Sequence, residues 1–154
     1  MDRIIVIGSV GSGKTILSKK IAERLSLPLY TIDSFYFKDD SSKLSQGELE
    51  KRLKEIISKD RWLIDGQYTT QIPLRLSRAD TAIFLDLKKR VIFWRILKRY
   101  FSQKDQHSSL LHQMKLAFFY PRKHAYALLR TAPKELDVII LKNPQDVEFF
   151  LTTI

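Results

Sequence analysis

The chain has 154 residues, 44% of them hydrophobic, with a formal net charge of +10 at pH 7 and no cysteine. This length and hydrophobic fraction predict one globular domain, residues 1–154, with a sizeable core. The absence of cysteine excludes disulfides, thiolate metal sites and thiol catalysis. No apolar run approaches the roughly 18 residues of a membrane span, and no signal segment precedes the first predicted strand. We therefore expect a cytoplasmic protein without a membrane partner.

The positive charge is concentrated in the middle of the sequence. Residues 88–130 carry eleven lysines and arginines and one acidic residue, Asp105, whereas the flanking parts are close to neutral. A solvated basic face, a clamp for nucleotide phosphates and a nucleic-acid surface would each have this composition. The position of the segment relative to the other motifs must distinguish these three interpretations.

The first predicted elements are a strand and a helix joined by a glycine-rich loop. Residues 4–7 form an apolar run typical of a buried strand, and an amphipathic helical pattern begins at Lys14. The connecting sequence, GSVGSGKT, matches G-x-x-x-x-G-K-S/T, the phosphate-binding P-loop. Its N–H groups and the helix dipole can surround phosphate, Lys14 can reach the β- and γ-phosphates, and the Thr15 hydroxyl can ligate Mg²⁺. The residues expected to bind nucleotide phosphates are Gly8, Gly11, Ser12, Gly13, Lys14 and Thr15.

Four further apolar runs predict strands. They cover 29–32, 62–64, 82–85 and 138–141. Five short strands that alternate with helices predict a five-stranded parallel sheet covered on both faces, which gives a three-layer α/β P-loop NTPase fold. Three of the strands end at an aspartate, namely Asp33, Asp65 and Asp86. Because ligands bind outside the carboxyl ends of such strands, we expect these three carboxylates to lie near the P-loop.

Helices are predicted between the strands. After the first helix, they begin at a Ser45–Glu48 capping box, at Val91, at Leu110 and at Pro144, which follows an Asn143 cap. The run that begins at Leu110 must bend or break near Pro121. The basic helix over 91–100 places Arg95 and Arg99 on one face, because residues four apart are neighbours on a helix. Polar stretches at 38–45 and 102–109 predict loops.

The order of these motifs resembles the adenylate-kinase-like small-molecule kinases, and most closely the bacterial topology modulation (FlaR-like) family. The resemblance runs essentially the whole length and rests on the blocks IGSVGSGKT, LIDGQY, FLDLKKRVIFWRILKR and VIILKNPQDVEFFL. It implies an ATP-dependent kinase that uses Mg²⁺ and has a basic helical lid within residues 88–130. ATP is expected over GTP because the sequence has no Asn-Lys-x-Asp segment, which would read guanine.

The resemblance also implies roles for residues outside the P-loop. Asp65 matches a carboxylate that orders Mg²⁺ through water. Arg95 and Arg99 match a lid pair, of which one lies near the adenine and one touches phosphates, and Asn143 matches the backbone loop beside the adenine. Asp33 is similar to a carboxylate that accepts the proton of an acceptor hydroxyl. The alternative roles for Asp33 are to bind water molecules around Mg²⁺ or to cap the helix that follows.

Two differences from adenylate kinases concern the acceptor. Gln67-Tyr68-Thr69 stands in place of Phe-Pro-Arg, and Ile32-Asp33 stands in place of Thr-Gly at the second strand. Both differences weaken the expectation that AMP is the acceptor. We expect an unidentified small acceptor, either a nucleoside or nucleotide or a hydroxyl-bearing metabolite. The roles of Asp86, Arg75 and Arg78 stay open, although either arginine could bind that acceptor.

The alternative hypothesis is a nucleic-acid-associated P-loop ATP-binding protein that affects DNA topology. Aromatic residues within the basic segment could stack on bases, but we expect them to pack in the core, and we expect any nucleic-acid binding to be weak and non-specific. These residues are Phe93, Trp94, Phe118, Phe119 and Tyr120. The residues expected to be surface groups are Lys88, Lys89, Lys98, Lys104 and the histidines His107, His112 and His124.

Overall fold

A computed structural model describes residues 1–35, 44–66, 69–102 and 109–154 of the chain. It contains the strands β1 (Arg3–Gly8), β2 (Leu29–Thr31), β3 (Trp62–Asp65), β4 (Thr81–Leu85) and β5 (Asp137–Leu141). These parallel strands form a five-stranded sheet in the order β2-β3-β1-β4-β5. The helices are α1 (Lys14–Leu25), α2 (Ile32–Phe35), α3 (Gln46–Ile57), α4 (Ile72–Leu76), α5 (Lys89–Ser102), α6 (Leu110–Phe118), α7 (Arg122–Arg130) and α8 (Pro144–Thr153), and a 3₁₀ turn covers Thr69–Gln71.

Helices cover both faces of the sheet, as the apolar strands predict. Successive side chains of a strand point to opposite faces, so neighbouring residues of β1 enter different parts of the core. Ile5 and Ile7 pack on the side of α3, α4 and α7, whereas Ile4 and Val6 pack on the side of α1 and α8. The three-layer α/β prediction is therefore confirmed, and β1 lies at the centre, where the P-loop leaves the sheet.

Several helix ends have the capping residues or the proline break that the sequence predicted. Ser45 accepts a hydrogen bond from the Glu48 backbone N–H, and the Glu48 side chain accepts one from the Ser45 backbone N–H. Asn143 and Asp146 form the same reciprocal pair at the start of α8. The predicted break near Pro121 separates α6 from α7. Each of these boundaries follows from local chemistry, since side-chain caps satisfy first-turn N–H groups and proline cannot donate.

A polar contact joins the first strand to the start of β4. The Asp80 carboxylate accepts hydrogen bonds from the backbone N–H groups of Asp2 and Arg3, and from the Thr81 hydroxyl. Burial by itself would raise the pKa of Asp80, but the bonds from Asp2, Thr81 and Arg3 outweigh burial and lower it. This carboxylate is therefore held in its ionised form at the amino-terminal edge of the sheet.

The structure corrects some of the predicted boundaries. The second strand ends at Thr31, one residue before the predicted end, because Ile32 begins α2 and packs, fully buried, against Gly66. Helix α4 and the preceding 3₁₀ turn were not predicted. Ser102 belongs to α5 and not to a loop, and the rest of both predicted polar loops lies largely outside the described residues.

The prediction that the aromatic residues of the basic segment pack in the core is wrong for three of the five. Trp94 is 66% exposed and Phe119 is 75% exposed, and Phe118 is also exposed, whereas Phe93 and Tyr120 are partly buried. Helix α5 buries the stripe of Ile92 and Ile96 against α6, and Trp94 lies on a different face of the helix.

The predicted exposure of the histidines agrees with the structure for the two histidines that it describes. His112 and His124 are exposed, while His107 lies outside the described residues. Among the described residues, no group of three or more His, Cys, Asp or Glu side chains is placed to hold a metal ion. Nor is any described helix both long and apolar enough to cross a membrane.

Candidate functional site

The P-loop connects β1 to α1 through backbone conformations that favour glycine. Gly11 and Gly13 have φ angles of +77° and +95°. A Cβ atom at Gly11 would lie 2.5 Å from Cγ1 of Ile96, so this position also lacks space for a side chain. The loop thus curls tightly against α5, and α1 begins directly at Lys14 with its N-terminal N–H groups at the loop.

Lys14 and Thr15 lie at the end of the loop, where the motif predicts them. Lys14 Nζ donates a 2.8 Å hydrogen bond to the Ser9 carbonyl, so the side chain spans the loop. Thr15 Oγ1 donates a 2.9 Å hydrogen bond to Asp65 Oδ2. The parallel pairing of Val6 with Asp65 accounts for this contact, because it places the end of β3 beside the end of β1.

The pair of Thr15 and Asp65 has the chemistry of a Mg²⁺ site. Mg²⁺ prefers oxygen ligands and is held in nucleotide sites by one or two protein oxygens together with phosphates and water. A hydroxyl and a carboxylate in direct contact, next to the phosphate-binding loop, meet that requirement. These two residues therefore fit the predicted cofactor.

A cavity of about 680 Å³ lies over the P-loop. Its walls come from the P-loop, from α1, from α5 and from α8, and Asp65 lies at its edge. The volume is in the range of about 300–1,000 Å³ that is typical of small-molecule and cofactor sites. Ile16 lines this cavity and is 67% exposed.

Helix α5 supplies three positively charged side chains to the cavity. Arg95, Lys98 and Arg99 all line it, so the two arginines share one face as predicted, and Lys98 is more than a remote surface charge. Arg95 Nη1 donates a 2.6 Å hydrogen bond to the Ser12 carbonyl of the P-loop. Arg99 donates to the Gln113 side chain of α6. The basic segment is thus in direct contact with the phosphate-binding loop.

The other predicted site residues have different surroundings. The Asn143 side chain caps α8, and its neighbour Pro144, but not Asn143, lines the cavity. Asp33 lies in α2 directly after β2, and its side chain is outside the described part of the structure.

Asp86 is buried, and its carboxylate accepts hydrogen bonds from Arg122 Nη2 at 2.6 Å and from the Tyr126 hydroxyl at 2.7 Å. Asp86 therefore anchors α7 to the end of β4.

Arg75 is a buried charge that sequence reasoning left without a position. Its guanidinium donates to the carbonyls of Gly66, at 3.1 Å, and Gln71, at 3.3 Å. Burial lowers the pKa of Arg75 from 12.5 to about 10, while the charge of Asp65 and then Tyr120 act in the opposite direction. The guanidinium is therefore still protonated at neutral pH. Arg78, three residues later, is exposed.

Comparisons with known proteins identify the fold. The chain matches no protein-family profile and no curated protein. It is similar to the solved structures of shikimate kinase from Bacteroides thetaiotaomicron (18% identity, TM-score 0.64, 99% of this chain and 95% of that chain) and of shikimate kinase from Acinetobacter baumannii in complex with shikimate (14%, 0.62, 99% and 90%). A gluconokinase from Sinorhizobium meliloti is also similar (15%, 0.57, 99% and 92%). At these identities the similarity shows that the chain has the P-loop kinase fold.

Proposed function

We propose that the protein is an ATP-dependent kinase that transfers the γ-phosphate of Mg-ATP to a small acceptor. The observation that carries the proposal is the cavity over the P-loop, where Lys14, the Thr15–Asp65 pair and the arginines of α5 meet. Phosphoryl transfer needs positioned positive charge more than covalent chemistry, and this arrangement supplies it. The kinases among the structures of similar fold support the same conclusion.

In the proposed reaction, the acceptor hydroxyl oxygen bonds to the γ-phosphorus, and the bond from that phosphorus to the β–γ bridging oxygen breaks to release ADP. Lys14 holds the β- and γ-phosphates, and Arg95 and Arg99 bind phosphate oxygens or stack beside the adenine. Thr15 and Asp65 would hold Mg²⁺, which when bound neutralises charge on the phosphates. We propose Asp33 as the group that accepts the hydroxyl proton, because it follows β2 at the carboxyl edge of the sheet.

We further propose that residues 1–154 form one nucleotide-kinase-like domain, in which residues 88–130 include the lid over ATP. The contact of Arg95 with the Ser12 carbonyl supports a role for the basic segment at the nucleotide. The four sequence blocks support membership of the topology modulation (FlaR-like) family. Pro144, next to Asn143 at the wall of the cavity, supports a place for this segment beside the adenine.

The test combines nucleotide binding with a search for the acceptor. Lys14→Ala should abolish ATP binding or transfer while the melting temperature stays near that of the wild type, because the Lys14 ammonium contacts the loop and not the core. Lys19→Ala, an exposed lysine on the same helix, is the matched control. Nucleosides, nucleoside monophosphates and small hydroxy acids would be screened for stimulated ADP release. Full activity of a folded Lys14→Ala protein would refute the proposal.

One observation favours the alternative, a nucleic-acid-associated ATP-binding protein. Trp94, Phe118 and Phe119 are exposed within the basic segment, as rings that stack on bases would be. The comparison that separates the hypotheses is DNA affinity near physiological salt, with and without ATP and Mg²⁺. We expect weak, salt-sensitive binding, and we expect Arg99→Ala to weaken phosphoryl transfer without nucleic acid present. Tight, ATP-dependent DNA binding that is lost in Arg99→Ala would favour the alternative.

A further inference from the structure

Of the charged residues near the candidate site whose side chains the structure describes, Arg75 is the most deeply buried. It lies in α4, its exposed fraction is 0%, and it packs among core elements and not in the cavity. Taking a guanidinium out of water is unfavourable unless its donors find acceptors and its charge finds a partner. A buried arginine at this position is therefore expected to have hydrogen-bond acceptors and a charged partner close by.

The surroundings of Arg75 supply the partners. Its Nη1 donates to the carbonyl of Gly66, the residue that directly follows Asp65, and Asp65 is the carboxylate that interacts most strongly with its charge. Gly66 has a φ angle of +157°, and a Cβ atom there would lie 2.7 Å from Cβ of Ile32. The chain is thus tightly packed at Gly66, and Arg75 binds this residue from the interior.

Asp65 therefore interacts with two groups, with one by a hydrogen bond and with the other through charge. Toward the cavity it accepts the hydrogen bond of Thr15, and toward the core it lies in the field of Arg75. Arg75 also interacts with Tyr120, at the junction of α6 and α7, and the pKa of Tyr120 is raised to about 12 by burial and by Asp86, against the effect of Arg75. Tyr120 therefore stays neutral at physiological pH.

We propose that Arg75 is a positioning residue that, through its hydrogen bond to the Gly66 carbonyl, keeps the Asp65 carboxylate directed at Thr15, so that the two oxygens present a preformed Mg²⁺ site. This inference rests on the proposed function, because it assigns the interior support of the same metal site. It also answers the question that the sequence left open: Arg75 acts through Asp65 and does not bind the acceptor. Groups that orient metal ligands typically affect metal affinity about 10- to 100-fold.

The first experiment measures how much Mg²⁺ strengthens nucleotide binding. ADP affinity is determined by calorimetry with Mg²⁺ and with a chelator, well below the melting temperature, for the wild type, Arg75→Met and Arg75→Lys. We expect Arg75→Met to lose at least about tenfold of the Mg²⁺ enhancement while Mg²⁺-free affinity stays near the wild-type value. Arg75→Lys should keep part of the enhancement, because it keeps the charge but not the fork of donors. Arg24→Met, an exposed arginine late in α1, is the control for loss of one charge.

The second experiment tests the contact without nucleotide. Unfolding in urea is compared for Arg75→Met, Asp65→Asn and the double variant, and we expect a coupling of about tenfold in the unfolding equilibrium constant. Where Arg75→Met does not fold, Arg75→Lys replaces it in both experiments.

The outcomes distinguish the two proposals. A wild-type protein that binds ADP equally with and without Mg²⁺ contradicts the proposed function, and the coupling then still decides whether Arg75 supports Asp65. A wild-type protein with a clear Mg²⁺ enhancement that folded Arg75 variants retain in full would overturn the positioning role. Additive effects on unfolding would overturn it as well.

Discussion

Replacing Gly11 with alanine should destabilise the protein, because the P-loop approaches α5 most closely at this residue. The new Cβ atom would lie 2.5 Å from Cγ1 and 2.9 Å from Cδ1 of Ile96, and Ile96 is only 1% exposed and cannot move into solvent. Relieving such overpacking costs about 1–3 kcal/mol. The φ angle of +77° adds about 1–2 kcal/mol for a residue with a Cβ atom. We therefore expect a loss of about 2–5 kcal/mol.

Thermal and urea unfolding measure this loss. For a chain of this length, about 1 kcal/mol corresponds to roughly 2–4 °C, so the melting temperature should fall by about 4–20 °C. Gly47→Ala is the matched control: nothing lies within 4 Å of its Cβ position, and it is in α3, where alanine should add about 0.4–1 kcal/mol of stability. A Gly11→Ala protein that melts with the wild type would show that the loop and α5 are not packed as described.

Three further predictions concern separate parts of the molecule. Asp33→Asn should lower the transfer rate about 10²- to 10⁴-fold with little change in ATP affinity, whereas weaker Mg²⁺ dependence at an unchanged rate would assign Asp33 to the metal. The pKa of Asp80 is lowered in the folded state, so its ionised carboxylate stabilises the fold at pH values above the unfolded pKa, and this stabilisation is lost as pH falls through the folded pKa. The difference in stability between the wild type and Asp80→Asn should therefore shrink in acid titrations below about pH 4. Ser45→Ala should cost about 0.5–2 kcal/mol in urea unfolding and leave nucleotide affinity unchanged.

The fold was largely predictable because its signals are local. The P-loop spacing, the Ser45 capping box, the break at Pro121 and the five apolar strands each depend on neighbouring residues, and each is present in the structure. Ile32 shows where this reasoning ends. Its apolar character fits a strand and a buried helix equally well, and only packing against Gly66 decides for the helix.

The surroundings of individual site residues were less predictable. Trp94 is an aromatic residue in a helix, which favours the core, but in the described part of the chain α6 packs against the face of α5 that carries Ile92 and Ile96, and Trp94 lies on a different face. No local pattern distinguishes Arg75 from the other arginines of the sequence, because its burial depends on distant elements that surround α4. Long-range packing determines both outcomes, and no pattern within a short window of sequence reports it.

The hydrogen bonds within the P-loop imply a selectivity among ligands. Lys14 donates to the Ser9 carbonyl and Arg95 donates to the Ser12 carbonyl, so two cations of the site are already bound to neutral oxygens of the protein. An incoming group competes with these carbonyls for the N–H donors of the two cations. An uncharged hydroxyl offers nothing stronger in exchange, whereas an anionic phosphate oxygen forms hydrogen bonds roughly twice as strong as neutral ones. The loop should therefore discriminate against uncharged sugars and nucleosides at this position, since they cannot outcompete its own backbone.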